Sequence, residues 1–216
     1  MPVNRLCPAG FTTKARRLIQ SNPLLCGILG LGLAGCTLDA LPFGVPGFTG
    51  ALPAMPWDAR PEAAVWTEAT LLAVQSQDSV LAARVPADID LWCPGYAKGS
   101  NADRQAFWAA LIALTAKPES GFNPAAVGPG GYYGLMQISP RTAANAGCAV
   151  STKAELKDGE NNLFCAVQIL SGKVAADGAA VGAKGNRGIG RDWMPWRKAA
   201  MRSSSAKWLK QQAYCK

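Results

Sequence analysis

The stretch AKPESGFNPAAVGPGGYYGLMQIS, residues 116–139, places one acid, Glu119, at the end of a helical pattern. A glycine-rich turn follows, and then the run Gly134-Leu135-Met136-Gln137-Ile138. Upstream, Ser100 and Asp103 make a Ser-x-x-Asp helix start. Phe107, Leu111 and Leu114 recur at helical spacing, and Trp108 and Ile112 widen the apolar face. The helix is expected to end around Pro118–Gly121, with Glu119 at its C-terminal edge. A carboxyl that works as a general acid near neutral pH must hold its proton. An apolar, poorly hydrated site does this by penalising the charged form. Phe122, Tyr132, Tyr133, Leu135 and Met136 supply such walls, and Gly128, Gly130, Gly131 and Gly134 let backbone approach a bulky ligand. Gln137 and Ser139 add neutral hydrogen-bonding groups. The set suits a polar, uncharged substrate such as a sugar. On these residues alone, a helix-end Glu before an ordinary glycine turn is an equal reading.

Working outward, Ser139 caps a second short helix with Pro140 in its first turn. ENNLFCAVQILSGK, residues 160–173, reads as a third helix with Leu163, Val167 and Leu170 in register. Residues 175–190 are a loop by composition, and MRSSSAKWLKQQAYC, residues 201–215, is a final helix. Strand signals are confined to a small irregular sheet around Val127–Ile138. The expected class is mainly α, with one globular helical domain over 91–216. Pro61 to Pro86 reads as an accessory helix within a 61–90 segment, and the Pro- and Gly-rich residues 36–60 read as a tether.

The first residues read as an address. Lys14, Arg16 and Arg17 precede an apolar run, Leu24 to Gly35. That run is too short for a membrane span, which takes ~20 residues, and it predicts a signal peptide over 1–35. Leu33-Ala34-Gly35-Cys36 resembles a bacterial lipobox. The resemblance implies cleavage before Cys36, acylation of its thiol and anchoring in a membrane. With Leu38 and no Asp after Cys36, it implies the periplasmic side of the outer membrane. An ordinary secretory signal is the alternative. Beyond Cys36 the chain holds Cys93, Cys148, Cys165 and Cys215. Four cysteines in an exported domain predict two disulfides with three possible connectivities. Cys148–Cys165, clipping neighbouring segments, and Cys93–Cys215, tying the domain's ends, are favoured.

The 216 residues contain no His. Ser-His-Asp and Cys-His chemistry and His-ligated zinc are therefore excluded. No Cys-x-x-Cys pair is present either, so no metal and no organic cofactor are expected. The formal charge is +8, and residues 181–216 hold nine basic residues against one acid. Such a tail fits an anionic polymer, a membrane surface or simply a solvated face. No aromatic-interleaved module accompanies it, so nucleic acid is not an expected partner. A monomer is expected.

Glu119-Ser120-Gly121-Phe122-Asn123-Pro124 followed by Gly134-Leu135-Met136-Gln137-Ile138 resembles the soluble lytic transglycosylase (SLT) domain, whose fold is goose-lysozyme-like. Asn162-Leu163 with Ala166 and Leu170 resembles the family's next helix. The resemblance spans roughly Trp92 to Cys215. It implies that Glu119 is the sole catalytic acid and base, with Ser120 contacting its carboxylate or the substrate. It implies that Tyr132, Gly134, Met136 and Gln137 face the glycan and that Asn162 sits beside the groove as a ligand or helix cap. The implied reaction cleaves peptidoglycan between N-acetylmuramic acid and N-acetylglucosamine and leaves a 1,6-anhydromuramyl end. The family's Ala-Tyr-Asn stretch is missing; Trp193 or Trp196 stands in that region, with core packing as the alternative role. Glu155, Asp158 and Glu160 are the acids that would activate water if the enzyme were a lysozyme-type hydrolase. A non-catalytic wall-binding lipoprotein and a basic interaction module are the remaining alternatives.

Overall fold

The computed structural model describes residues 51–216. At its centre is α2, Asn101–Ser120. Ser100 and Asp103 cap it reciprocally: the Asp103 N–H donates to Ser100 Oγ at 3.1 Å, and the Ser100 N–H donates to Asp103 Oδ2 at 2.9 Å. The N-cap and third-residue donors are thus both satisfied at the exposed end. Phe107, Trp108, Leu111 and Ile112 are buried, and so are Ala109, Ala110 and Ala113 between them. A helix apolar on nearly every side belongs in the middle of a core. Pro118 falls in the last turn, and Gly121 closes the helix in the left-handed conformation at φ 61°, donating to the Lys117 carbonyl.

Around it lie α1 (Ala63–Ser76), α3 (Pro140–Asn145), α4 (Gly159–Asp177) and α5 (Ala199–Gln211). Helix α1 packs on both α4 and α2. The sheet is minimal. Strands β1 (Val127–Gly128) and β2 (Tyr132–Tyr133) pair antiparallel, Val127 opposite Tyr133, through a turn in which Gly130 and Gly131 take φ 79° and 80°. The expected helices and sheet are therefore present, in a mainly helical fold.

Two boundaries differ from expectation. The segment read as a tether is packed in its second half: Met55 and Trp57 are buried, and residues 51–216 lie within one compact unit. Composition favours a linker there, but an indole with a cavity to fill overrides composition. The accessory helix stops at Ser76 instead of continuing toward Pro86. Beyond it the Asp78 carboxylate accepts from Asn101 Nδ2 at 3.1 Å and Gln105 Nε2 at 3.0 Å, which draws the chain onto the start of α2. The segment called accessory is thus part of the core.

Both favoured disulfides are present, Cys93–Cys215 and Cys148–Cys165. Among the described residues no helix is long and apolar enough to cross a membrane. Cys36, the signal-peptide reading and the first part of the tether lie outside the described residues.

Candidate active site

Helix α2 delivers Glu119 to the rim of a groove of about 1020 Å³. One wall comes from the β1–β2 turn and its return, with Gly128, Pro129, Tyr132, Gln137 and Ile138. The opposite wall is one face of α4, with Gln168, Ile169, Gly172, Lys173 and Ala176, continued by Arg191–Met194. Thr142, Asn145 and Ala146 of α3 and its end complete the lining.

Glu119 is half-buried. Among the described residues no group donates a hydrogen bond to its carboxyl and no cation pairs with it. Burial alone acts on it, and it raises the pKa above the ordinary carboxyl value. This is the condition the sequence called for. The turn that follows is unusual: Gly121 and then Phe122 both adopt left-handed backbone, Phe122 at φ 63°. For a residue with a side chain this costs about 1–2 kcal/mol.

The other expected site residues divide. Tyr132 and Gln137 line the groove with Glu119. Gln137 is itself left-handed at φ 49°, and its amide donates to the Gly134 carbonyl at 2.8 Å. Its nitrogen is thus spent on the loop. Gly128 makes room for this side chain, since any Cβ there would collide with Gln137 Oε1.

Met136, Gly134 and Asn162 are not part of the lining. Met136 and Asn162 are wholly enclosed, at 0% exposure. The Asn162 amide is a staple: its Oδ1 accepts from the Met136 N–H at 2.8 Å, and its Nδ2 donates to the carbonyls of Tyr133 at 3.0 Å and Leu156 at 2.9 Å. It therefore neither caps α4, which Asp158 does, nor reaches the groove. Gly134, at φ 78°, is required because a Cβ would strike the Leu156 carbonyl and the Asn162 amide. The expectation that these residues touch the glycan gives way to a supporting role behind the wall. Ser120 donates to the Ala116 carbonyl one turn back at 3.1 Å.

Trp193 and Trp196 also divide. Trp196 is enclosed, and its indole N–H donates to Thr115 Oγ1 of α2 at 2.9 Å. Trp193 lines the groove and donates to the Met136 carbonyl at 2.9 Å, so the two walls are joined by one hydrogen bond.

None of the three acids proposed as a water-activating base reaches the groove. Glu155 is exposed and accepts from the N–H groups of Ser151 and Thr152 and from the Thr152 hydroxyl, which lowers its pKa. Asp158 caps α4, accepting from the Asn161 N–H at 2.9 Å, and Glu160 is exposed. The groove's second carboxylate is instead Asp192, which reading by sequence missed. It is paired with Lys173 at 3.2 Å. Gly172 was a legible signal for the α4 wall: a glycine within a helix costs about 1 kcal/mol, and a Cβ here would meet nothing within 4 Å.

Residues 97–193 match the family model described as the transglycosylase SLT domain. Among solved structures, one titled as a Glu-to-Gln mutant of Bd0314 DslA is 26% identical, with a TM-score of 0.70, covering 77% of this chain and 100% of that one. Wild-type Bd0314 DslA, form 2, is also 26% identical, with a TM-score of 0.69 and the same coverage. No curated protein sequence matches the chain.

Proposed function

We propose, from the match of residues 97–193 to the family model described as the transglycosylase SLT domain, that this chain is a lytic transglycosylase that cleaves the β-1,4 bond between N-acetylmuramic acid and N-acetylglucosamine in peptidoglycan without consuming water. The observation that carries this is the state of Glu119: half-buried, without a hydrogen-bond or ion-pair partner among the described residues, and raised in pKa at the edge of a groove of about 1020 Å³. Protonated Glu119 gives its proton to the glycosidic oxygen as the bond to the anomeric carbon breaks. The carboxylate left behind then takes the proton of the muramyl 6-hydroxyl. That oxygen closes on the anomeric carbon, and a 1,6-anhydro end results. The cycle returns Glu119 to its protonated form, so one carboxyl serves as acid and base.

A lysozyme-type hydrolysis is the second reading, and Asp192 is the observation that favours it. Its ion pair with Lys173 at 3.2 Å weighs against it, because the carboxylate is already engaged by an ammonium donor where it would have to accept from a water. Tyr132 and Gln137 are the residues of the lining proposed to meet the glycan, Gln137 through its amide oxygen. The acylated Cys36 and the outer-membrane location belong to the same proposal. Residues 36–51, even fully extended, would hold the folded part within about 50 Å of the anchoring surface.

The test is digestion of purified peptidoglycan by residues 51–216 and by their Glu119→Gln variant, read by mass spectrometry. Anhydromuramyl products that vanish in the variant are expected. Reducing ends would move the assignment to hydrolysis with Asp192 as base. Binding with no products from either protein would leave a wall-binding module.

A further inference from the structure

The family match begins at residue 97, yet the ring packed on the turn after Glu119 comes from outside it. Trp57 is 0% exposed, and its ring centroid lies 6.3 Å from that of Phe122 at an interplanar angle of 77°. On its other side it meets Trp66 of α1 at 5.8 Å and 72°. Its indole N–H donates to Thr67 Oγ1 at 2.9 Å, and that hydroxyl donates to the Ala63 carbonyl at 2.7 Å. Trp57 is thereby fixed to α1. Trp66 in turn lies against Gly159, the first residue of α4, where any Cβ would collide with the indole. One aromatic chain therefore runs from the end of α2 to the start of α4, the two helices that carry Glu119 and the opposite wall.

Phe122 is the joint of this chain. It stands three residues after Glu119 in a conformation that suits glycine, at φ 63°. Covalent geometry offers a phenyl ring nothing there; contact with Trp57 does. We propose that Trp57 is a positioning residue for Glu119, holding the left-handed turn at Phe122 and so fixing where the end of α2 presents its carboxyl to the groove. The kinetic consequence rests on the transglycosylase reading; the positioning itself does not.

Three variants test it, each checked for folding by circular dichroism and thermal melting: Trp57→Ala, Trp57→Phe and Phe122→Gly. Glycine accepts the positive φ without strain but takes negative φ as readily, so Phe122→Gly folds without cost at this position yet removes the ring through which Trp57 holds the turn. On peptidoglycan, kcat should fall about tenfold or more in Trp57→Ala and Phe122→Gly, with KM within about twofold, since displacement of a reacting group costs turnover before affinity. Trp57→Phe should keep about half or more of kcat, because a ring still faces Phe122. Independently of turnover, the Glu119 carboxyl is titrated by carbon NMR in wild type and variants. The other ionisable groups of the lining, Tyr132 from β2, Lys173 from α4, and Arg191 and Asp192 beyond it, are unchanged in all of them. The Glu119 midpoint should fall toward the ordinary carboxyl value in Trp57→Ala and Phe122→Gly as water reaches it. If both midpoint and kcat stay at the wild-type value in folded Phe122→Gly, the proposal is wrong, and this holds even where Trp57→Ala does not fold. A lower melting temperature with an unmoved midpoint also overturns it. If wild type releases no glycan product, the activity reading fails, and the titration still decides the positioning.

Discussion

On the proposed mechanism, Glu119 keeps a proton in the resting groove and yields it to an oxygen that arrives with substrate. Its pKa is raised by burial alone, so the folded chain binds this proton more tightly than the unfolded chain does. The sign follows for stability. The cost of the buried charge is absent below the ordinary carboxyl range and grows as pH rises through the raised value. Glu119→Gln carries no such charge. The melting temperature of the variant should therefore gain on wild type as pH rises across that window and then level off. A difference that stays constant with pH would show that burial does not act on this carboxyl. On the proposed mechanism the descending limb of kcat/KM lies above the ordinary carboxyl range for the same reason. This part of the site was legible because it is local: a helix end, a stop signal and a glycine turn are neighbours in sequence. The roles of Met136 and Asn162 were not, since 26 residues separate the partners of the Met136 N–H to Asn162 bond.

At the scale of elements, α4 shows how a helix can be wall and core at once. Leu163, Ala166, Val167 and Leu170 are buried, while Gln168, Gly172, Lys173 and Ala176 face the groove. Gly172→Ala should stabilise the protein by about 1 kcal/mol in denaturant melts, because it removes backbone freedom from the unfolded chain and meets nothing in the fold. Gly172→Trp should instead fill the groove: folding is retained and KM for glycan rises at least severalfold. An unchanged KM would exclude this face from substrate binding. The apolar period of α4 was plain in the sequence. Which strip of its polar side faces a ligand depended on where Arg191–Met194 returned, and no local pattern encodes that return. Asp88 fixes it, accepting from the N–H groups of Ala180, Val181 and Gly182 at 2.7, 3.0 and 2.7 Å.

At the scale of the molecule, two disulfides act over very different spans. Cys93–Cys215 closes 122 residues and Cys148–Cys165 closes 17. On the chain-entropy account the first contributes about 5 kcal/mol and the second about 3 kcal/mol. Replacing each pair by Ser should lower the denaturation midpoint in that order. Equal losses would mean that the loops are already restrained when unfolded. Cys148–Cys165 also ties the end of α3 to α4, both of which line the groove, so its loss should affect turnover more than its share of stability suggests. The pairing was open to reasoning from sequence because few connectivities exist. The burial of Trp57 was not, because its neighbours Trp66 and Phe122 lie 9 and 65 residues along the chain in a segment whose Pro and Gly content reads as linker.

The hydrogen bond from the Trp193 indole to the Met136 carbonyl has a consequence for traffic. A slot whose sides are bolted together has a single gauge. On the proposed function, a strand would be laid into this trough and lifted out without the two sides parting at that bond. On that same proposal, a slot of fixed gauge would take strands that already stand clear of their neighbours ahead of those still bundled in the mesh.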